Sequence, residues 1–340
     1  MLYRHPEPRR LSISVLWVLF LLLAGCSIVP KVRLDDHSLH QLPRQHEIAN
    51  TPFFSQDAYQ CGPAALATVL SYYGHERQPQ QLSPWLFTPD AKGSFPTELD
   101  AVARKEGFVA YPVNDIDKLL LEIAADHPVL VLQNLGTDWL RRWHFAVVVG
   151  YDLDKREVIL RSGTLQRRVT PIDVFDKTWS RSERWGRVIL PPSRLPASVQ
   201  TELYLRVVSD LEQTGPAQAA EQAYSTACDR WPTERLAWFG LANVQLKQQH
   251  YDSALQSYQH LLTLEPGLAP AWNNLAYALR GLACPQAAKR AVDCALKLAP
   301  GREDLLSSAK EFDALKGIDA PQCPMLSCDN SPQKPPLIQK

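Results

Sequence analysis

Three residue types in this sequence together support acyl-transfer chemistry: a cysteine, a histidine and a glutamine. Cys61 stands where a loop meets an apolar helix predicted to run to residue 73. A thiol at a helix start faces unsatisfied N–H groups and the positive end of the helix dipole, which favour the nucleophilic thiolate. Gln56 precedes it by five residues, so its amide could donate to an oxyanion. Because free cysteines are mostly buried structural residues, Cys61 alone does not identify an enzyme.

His144 comes directly before an apolar run, residues 145–151. Such a run predicts a buried strand, which places the histidine at the rim of a sheet, where its side chain can face a cleft. An imidazole there can take the proton of a thiol and later protonate a leaving amine. The alternative interpretation is a rim or core histidine with a purely structural role.

The segments around these residues predict one α+β domain over residues 51–192. Helices are expected at 62–73, 96–105, 115–125 and 172–177, with Asp115 as a helix cap. A polar, proline-rich stretch separates the first two. Strands are expected at 129–132, 145–151, 157–161, 167–170 and 187–190. A helix that carries a cysteine would then pack on a sheet that carries a histidine.

Residues 51–160 resemble the C39-type cysteine peptidase domain, a papain-like family whose best-known members trim bacteriocin leader peptides after Gly-Gly. The matching motifs are Gln56, Cys61-Gly62-Pro63-Ala64-Ala65-Leu66 and His144-Phe145-Ala146-Val147-Val148-Val149-Gly150-Tyr151. The resemblance implies that Cys61 is the nucleophile and His144 the general base and acid. It also implies that Gln56 and the Cys61 N–H form the oxyanion hole, with no cofactor or metal.

The chain departs from the family pattern in two places. Gln60 precedes the nucleophile, where the family commonly has Asp. The third catalytic member, an Asp or Asn, is absent from residues 160–163, where the family pattern expects it. Arg161 cannot accept an imidazole N–H, whereas the hydroxyl of Ser162 can accept it weakly, so Ser162 is the candidate orienting residue. Asp152 and Asp154 lie in a turn and are expected to point away.

A second domain is predicted after the proline-rich boundary near residues 191–196. Trp238 and Trp272 are 34 residues apart, and the same spacing relates further leucines, alanines and prolines. This pattern resembles the tetratricopeptide repeat. Three repeats over about 204–305 predict an all-α domain at 200–316, and the family implies a protein partner in its groove. The proline-rich residues 319–340 are predicted to be disordered.

The amino terminus indicates export. Three arginines within residues 4–10 precede an apolar stretch at 11–23 that is short for a membrane span. The next residues, Ala24-Gly25-Cys26-Ser27, resemble the lipobox of bacterial lipoproteins. The resemblance implies a signal peptide at 1–25, lipidation of Cys26 and a membrane anchor. Alternatives are an ordinary secretory signal or a short anchor helix.

Ser27 after the lipidated cysteine suggests, by analogy, the outer membrane, with the protein facing the periplasm. Residues 26–50 are predicted to form a linker. Its histidines, His37, His40 and His46, are expected to be solvated, a metal site being the alternative. In an oxidising compartment, Cys323 and Cys328 could bridge across a short loop.

Composition excludes several other classes of function. Basic and acidic residues are equal in number, 36 each, so no bulk attraction to nucleic acid is expected. No phosphate-binding loop, dinucleotide fingerprint or zinc-protease motif is present.

The sequence therefore predicts a bacterial envelope lipoprotein with a cysteine peptidase domain for peptide or protein substrates and a repeat domain for a protein partner. The rival prediction is a catalytically inactive peptide-binding scaffold. Amidase or transglutaminase-like chemistry on the same residues is a third reading.

Overall fold

The computed structural model describes residues 31–35, 42–55, 60–86, 93–137 and 139–328. The signal peptide, the lipidation site Cys26 and the oxyanion candidate Gln56 all lie outside the described residues, so these assignments stay predictions. Within the described part of the chain, no helix is both long and apolar enough to cross a membrane.

The first half of the chain is built on one antiparallel sheet, to which the described residues contribute seven strands. They are β1 (Gln45–Glu47), β2 (Val109–Pro112), β3 (Val129–Asn134), β4 (Trp143–Asp152), β5 (Glu157–Ser162), β6 (Leu165–Pro171) and β7 (Gly186–Leu190). The strand order is β2-β7-β3-β4-β5-β6, and β1 pairs with the far end of β4. Strand β4, which contains His144, is therefore a central strand of the sheet.

Helices cover both faces of this sheet. They are α1 (Cys61–Tyr72), α2 (Pro79–Leu86), α3 (Pro96–Lys105), α4 (Ile116–Ala124) and α5 (Ile172–Ser180). Val147 on β4 belongs to the core that α1, α2 and α3 close, whereas Val148 belongs to the core that α4 and α5 close. Alternate side chains of β4 thus enter two different cores, which explains why the strand is apolar throughout.

Most elements expected from the sequence are present, including the cap of α4. The Asp115 carboxylate accepts from the backbone N–H groups of Asp117 and Lys118. Helix α2 was not expected, because its prolines and glutamines obscure the spacing of Leu82 and Leu86. Both leucines are fully buried, and this burial stabilises a segment of low helix propensity.

The linker interpretation is wrong for part of residues 26–50. Residues 45–47 form β1, and the backbone N–H of Val32 donates to Asp173 at the start of α5. His46 lies 2.8 Å from the Asp126 carboxylate, while His37 and His40 lie outside the described residues. The described residues contain no group of His, Cys, Asp or Glu side chains suited to a metal.

The second half of the described chain is helical. Its helices are α6 (Thr201–Thr214), α7 (Ala217–Arg230), α8 (Arg235–Lys247), α9 (Tyr251–Leu264), α10 (Ala269–Gly281), α11 (Pro285–Leu298) and α12 (Glu303–Asp313). The 34-residue period recurs in the contacts. The indole N–H of Trp238 donates to the Pro232 carbonyl, and that of Trp272 donates to the Pro266 carbonyl, both at 2.9 Å.

Two disulfides hold the segment after α12 against the repeats. They join Cys284 to Cys323 and Cys294 to Cys328, so the expected bridge between Cys323 and Cys328 is wrong. Cys323 is instead bonded to the cysteine just before α11, and Cys328 to a cysteine within α11. Residues 319–328, expected to be disordered, are therefore tied to the helices, and residues 329–340 lie outside the described chain.

The repeats pack directly on the sheet domain. The carboxylate of Glu122 on α4 is fully buried and accepts from the N–H groups of Ala197 and Ser198 and from the Ser198 hydroxyl. The Tyr111 hydroxyl on β2 accepts from the N–H of Gln200. One hydrophobic core runs without a break from the sheet into α6, α7 and α8.

Candidate active site

Cys61 is the first residue of α1, and its side chain is partly exposed. Gly62 allows a close approach there, because a Cβ on it would lie 2.5 Å from the hydroxyl oxygen of Ser94. Pro63 lacks an N–H, which suits the first helical turn, and no side chain caps this end. The thiol therefore stands beside backbone donors that the helix leaves unpaired.

His144 is the second residue of β4, and its Nε2 lies 2.9 Å from the hydroxyl oxygen of Ser162. Ser162 is the last residue of β5 and is buried. The β4–β5 register shifts between Val148 and Gly150, and the β5–β6 register shifts between Leu160 and Ser162. Such irregularities re-aim side chains at the end of a strand. The structure thus brings together the histidine and the serine that the sequence singled out.

The environment of His144 favours the neutral imidazole. Burial, together with the positive charges of Arg168 and Arg142, lowers its pKa from 6.5 to about 4. The serine hydroxyl carries no charge that would offset these effects. His144 is therefore uncharged at neutral pH and able to accept a proton.

The serine partner fixes the histidine less firmly than a carboxylate would. A carboxylate only accepts, so it holds the proton on Nε2 and leaves Nδ1 free as a base. A hydroxyl can either accept from Nε2–H or donate to an unprotonated Nε2. Ser162 therefore leaves both neutral tautomers of His144 accessible, and only one of them presents a basic Nδ1.

The other polar residues near the expected acid position point elsewhere. The Arg161 guanidinium donates to the carbonyls of Gln166 and Thr51. Asp152 accepts from the backbone N–H of Lys155. Asp154 accepts from Arg44. The expectation that these two carboxylates point away from the histidine is confirmed.

Helix α1 packs along β4, so the nucleophile candidate and the histidine belong to neighbouring elements. Cys61 packs against the core that contains Phe145, the residue after His144. Among the described residues, the thiol makes no hydrogen bond, and in particular none with the imidazole. Catalytic hydrogen bonds are often long without substrate and tighten in the reacting complex.

Several residues near His144 were not singled out from the sequence. Gln133 lies directly opposite His144 in the β3–β4 register, is buried, and donates to the Thr178 hydroxyl. Trp185 packs edge-on against Phe145, with ring centroids 5.6 Å apart. A polar residue that interrupts an apolar strand next to a catalytic candidate was the available signal for Gln133.

Comparison with known families agrees with this architecture. Residues 48–184 match the Peptidase_C39 like family, and residues 235–268 match the tetratricopeptide repeat. The chain thus has a sheet-containing domain that resembles C39 peptidases, followed by helices of tetratricopeptide type, as the sequence predicts. No curated protein matches the chain.

Several solved structures are similar to parts of the chain. A putative C39-like peptidase from Bacillus anthracis is 17% identical, with a TM-score of 0.38, over 43% of this chain and 97% of that one. The peptidase domain of Streptococcus ComA, a bifunctional ABC transporter, is 21% identical, with a TM-score of 0.34, over 42% and 99%. The tetratricopeptide domain of Arabidopsis OM64 is 15% identical, with a TM-score of 0.30, over 33% and 90%.

Proposed function

We propose that this chain, with its C39-like domain and tetratricopeptide repeats, is a cysteine peptidase that hydrolyses peptide bonds of a peptide or protein substrate. The sulfur of Cys61 is the nucleophile, His144 is the general base and acid, and Ser162 orients the imidazole. Gln56 is the proposed side-chain donor to the oxyanion. The observation that carries the proposal is the bond between His144 and Ser162 on the strand beside the Cys61 helix.

Acylation begins when the Cys61 thiol transfers its proton to Nδ1 of His144 as sulfur attacks the carbonyl carbon. Because the histidine is neutral at rest, proton transfer and attack are coupled, without a standing thiolate–imidazolium pair. The carbonyl oxygen becomes an oxyanion, held by the N–H of Cys61 and the amide of Gln56. The C–N bond then breaks, and the imidazolium returns its proton to the leaving amine.

Deacylation repeats the sequence with water. Neutral His144 takes a proton from water, whose oxygen attacks the thioester carbon, and the C–S bond breaks after the second oxyanion forms. The imidazolium then reprotonates the sulfur. A carboxylic acid leaves, and the enzyme returns to its starting state with every proton accounted for.

A thiol-reactive peptide probe, such as a peptidyl vinyl sulfone, tests this proposal. We expect Cys61 to be labelled and His144→Ala to lower the labelling rate by about 100-fold or more, the range typical of a general base. Cys228 is the internal control, because it is buried and burial raises its pKa to about 12. Labelling of Cys61 that does not respond to His144→Ala would contradict the proposal.

The serine in place of an acid favours a second candidate function. A site that holds His144 neutral, with both tautomers accessible, is also expected of a peptidase domain that has lost its catalytic activity. In that case the cleft binds an extended peptide without cutting it, and the repeats carry the function as an assembly scaffold. The probe separates the two, because a scaffold binds the peptide reversibly and leaves Cys61 unlabelled.

We also propose that the protein is a lipoprotein of the bacterial envelope, anchored through Cys26 in the outer membrane and facing the periplasm. The lipobox-like Ala24-Gly25-Cys26-Ser27 supports this proposal. The disulfides on α11 fit an oxidising compartment. Metabolic labelling with an alkyne fatty acid, followed by membrane fractionation, tests it: Cys26→Ser should abolish both the label and the membrane association.

A further inference from the structure

Two arginines share the face of the sheet on which His144 meets Ser162. Arg142 lies just before β4 and extends its pairing with β3, because the Arg142 carbonyl accepts from the N–H of Leu135, so strand alternation places Arg142 and His144 on one side. Arg168 on β6 is the register partner of Leu160, which precedes Ser162 by two residues on β5. The electrostatic effect of both arginines on the pKa of His144 agrees with this placement.

Neither arginine has an acidic partner among the described residues, although other arginines of this domain do. Arg167, next in sequence to Arg168, forms an ion pair with Glu47 at 3.0 Å. Arg184 binds the Asp176 carboxylate with two nitrogens. Arg142 and Arg168 are exposed and have no acidic partner in this part of the structure, so they present two positive charges near His144.

The loop from β3 to β4, here called the Trp hairpin (residues 135–137 and 139–143), leads directly into His144. Its backbone is held in place by the buried side chain of Asn134. The side-chain oxygen Oδ1 of Asn134 accepts from the backbone N–H groups of Gly136 and Arg142. Its side-chain nitrogen Nδ2 donates to the backbone carbonyl of Thr137. The N–H of Thr137 closes the turn on the carbonyl of Leu140.

This ordered hairpin exposes large apolar side chains. Trp139 is 84% exposed, Leu140 64% and Trp143 47%. A hairpin that is fixed by its own hydrogen bonds and presents two indoles and a leucine to solvent is typical of a binding surface. Its apolar side chains lie in sequence next to Arg142 and His144, so apolar and cationic groups adjoin the catalytic candidates.

We infer that the surface formed by the Trp hairpin, Arg142 and Arg168 binds an acidic peptide segment that carries apolar side chains. Carboxylates of the peptide pair with the two arginines, and its apolar side chains pack on Trp139 and Leu140. The inference deepens the proposed function, on which it rests, by naming the substrate class of the same site.

The arrangement favours a peptide over an anionic membrane surface. A membrane-binding loop needs cations only beside the apolar side chains that insert, a place that Arg141 and Arg142 already occupy next to the tryptophans. Here Arg168 lies on β6, two strands away from the β4 end of the hairpin, so the positive charge continues along the sheet face past His144 and Ser162. An extended peptide can follow such a line of groups, whereas a flat lipid surface cannot.

The test uses internally quenched peptide pools with a randomised centre flanked by Glu, Gln or Lys pairs. We expect the full-length protein to cleave the Glu pool best. Arg142→Gln and Arg168→Gln should each lower the ratio of kcat/KM for the Glu pool to that for the Gln pool by up to about five-fold, as for an exposed ion pair. Added salt should weaken the preference. Arg167→Gln is the matched control, since Arg167 adjoins Arg168 on β6 but its charge is already paired with Glu47.

The double variant Arg142→Glu with Arg168→Glu should invert the preference from the Glu pool to the Lys pool. Binding of the same pools to Cys61→Ala, measured by fluorescence anisotropy, tests the inference even if no pool is cleaved. Cleavage or binding without a preference for Glu would overturn the inference and leave the peptidase proposal intact. Binding to vesicles of anionic phospholipid that is lost in Trp139→Ala, with no peptide preference, would assign the hairpin to a membrane instead.

Discussion

The imidazole of His144 is hydrogen-bonded to the hydroxyl of Ser162, at 2.9 Å, and not to a carboxylate. An uncharged partner neither raises the basicity of the imidazole nor selects one of its tautomers. The basicity and the tautomer of His144 both depend on the side chain at position 162, at the end of β5. Substitution at this position is therefore the most informative one.

Replacing Ser162 with Asp should convert the site toward the arrangement that the resemblance to C39-type peptidases implies. A carboxylate beside Nε2 should raise the pKa of His144 from about 4 by about one to three units. It should also fix the tautomer with a basic Nδ1, so the rate of Cys61 labelling should rise by about 10-fold or more. NMR titration of the imidazole and probe kinetics measure the two effects.

Ser162→Ala is the control for this change, because it removes the partner without adding charge. It should leave the pKa of His144 low and slow the labelling of Cys61. If Ser162→Asp raised the pKa but left labelling unchanged, Ser162 would have no positioning role, and the scaffold interpretation would gain support.

The depressed pKa of His144 makes the fold less stable in acid. Between pH 6.5 and about 4 the unfolded chain binds a proton at this histidine and the folded chain does not, so stability falls as pH falls. The loss should reach about 3 kcal/mol at most below pH 4, given 1.36 kcal/mol per pKa unit. Urea unfolding of wild type and His144→Gln across pH 4–7 measures it. Parallel pH profiles for the two proteins would contradict the low pKa.

The repeat helices depend on a close approach at Gly240. A Cβ on this residue would overlap the ring of Tyr224 on the preceding helix, and Tyr224 is buried. We expect Gly240→Ala to lower the free energy of unfolding by about 1–3 kcal/mol despite the better helix propensity of alanine. Gly267→Ala is the matched control: a Cβ there has no neighbour within 4 Å, and thermal unfolding should change little.

The disulfide between Cys284 and Cys323 should stabilise the last repeat. It closes a loop with a sequence separation of 39 residues, and replacing both cysteines with serine should cost about 2–4 kcal/mol. Chemical unfolding monitored by circular dichroism without reductant measures the loss. Wild type treated with reductant should show at least the same loss, and equal stability of oxidised wild type and variant would exclude a stabilising bridge.

The buried carboxylate of Glu122 should be needed to hold the repeats against the sheet. Its removal in Glu122→Ala leaves the donors of Ala197 and Ser198 without their partner, and we expect a loss of about 2–4 kcal/mol. Asp154→Ala, which removes an exposed ion pair with Arg44, is the control and should have little effect. Hydrogen exchange of residues 197–200 should accelerate only in the Glu122 variant.

Local sequence patterns predicted the elements that carry the candidate site. The apolar run after His144 marked β4, Asp115 marked the start of α4, and the 34-residue spacing marked the repeats. Each of these signals lies within a short stretch or a fixed period, so no tertiary information was needed to find it.

Features set by distant parts of the chain could not be predicted in the same way. The pairing of Cys323 with Cys284 and of Cys328 with Cys294 depends on how the segment after α12 folds back on α11. Strand β1 depends on β4 as a partner, and α2 depends on the burial of Leu82. The unpaired state of Arg142 and Arg168 also appears only when their neighbours are known.

The junction at Glu122 and Tyr111 fixes the distance between the repeats and the sheet domain. The first repeat helices share a core with the sheet. Packing, and not a flexible linker, therefore sets the position of the repeats relative to the strand that bears His144. A protein bound to the repeats would then place at His144 a segment that lies a fixed distance from the part of that protein that is bound. Position along that protein, as well as local side chains, would then decide which bond is presented.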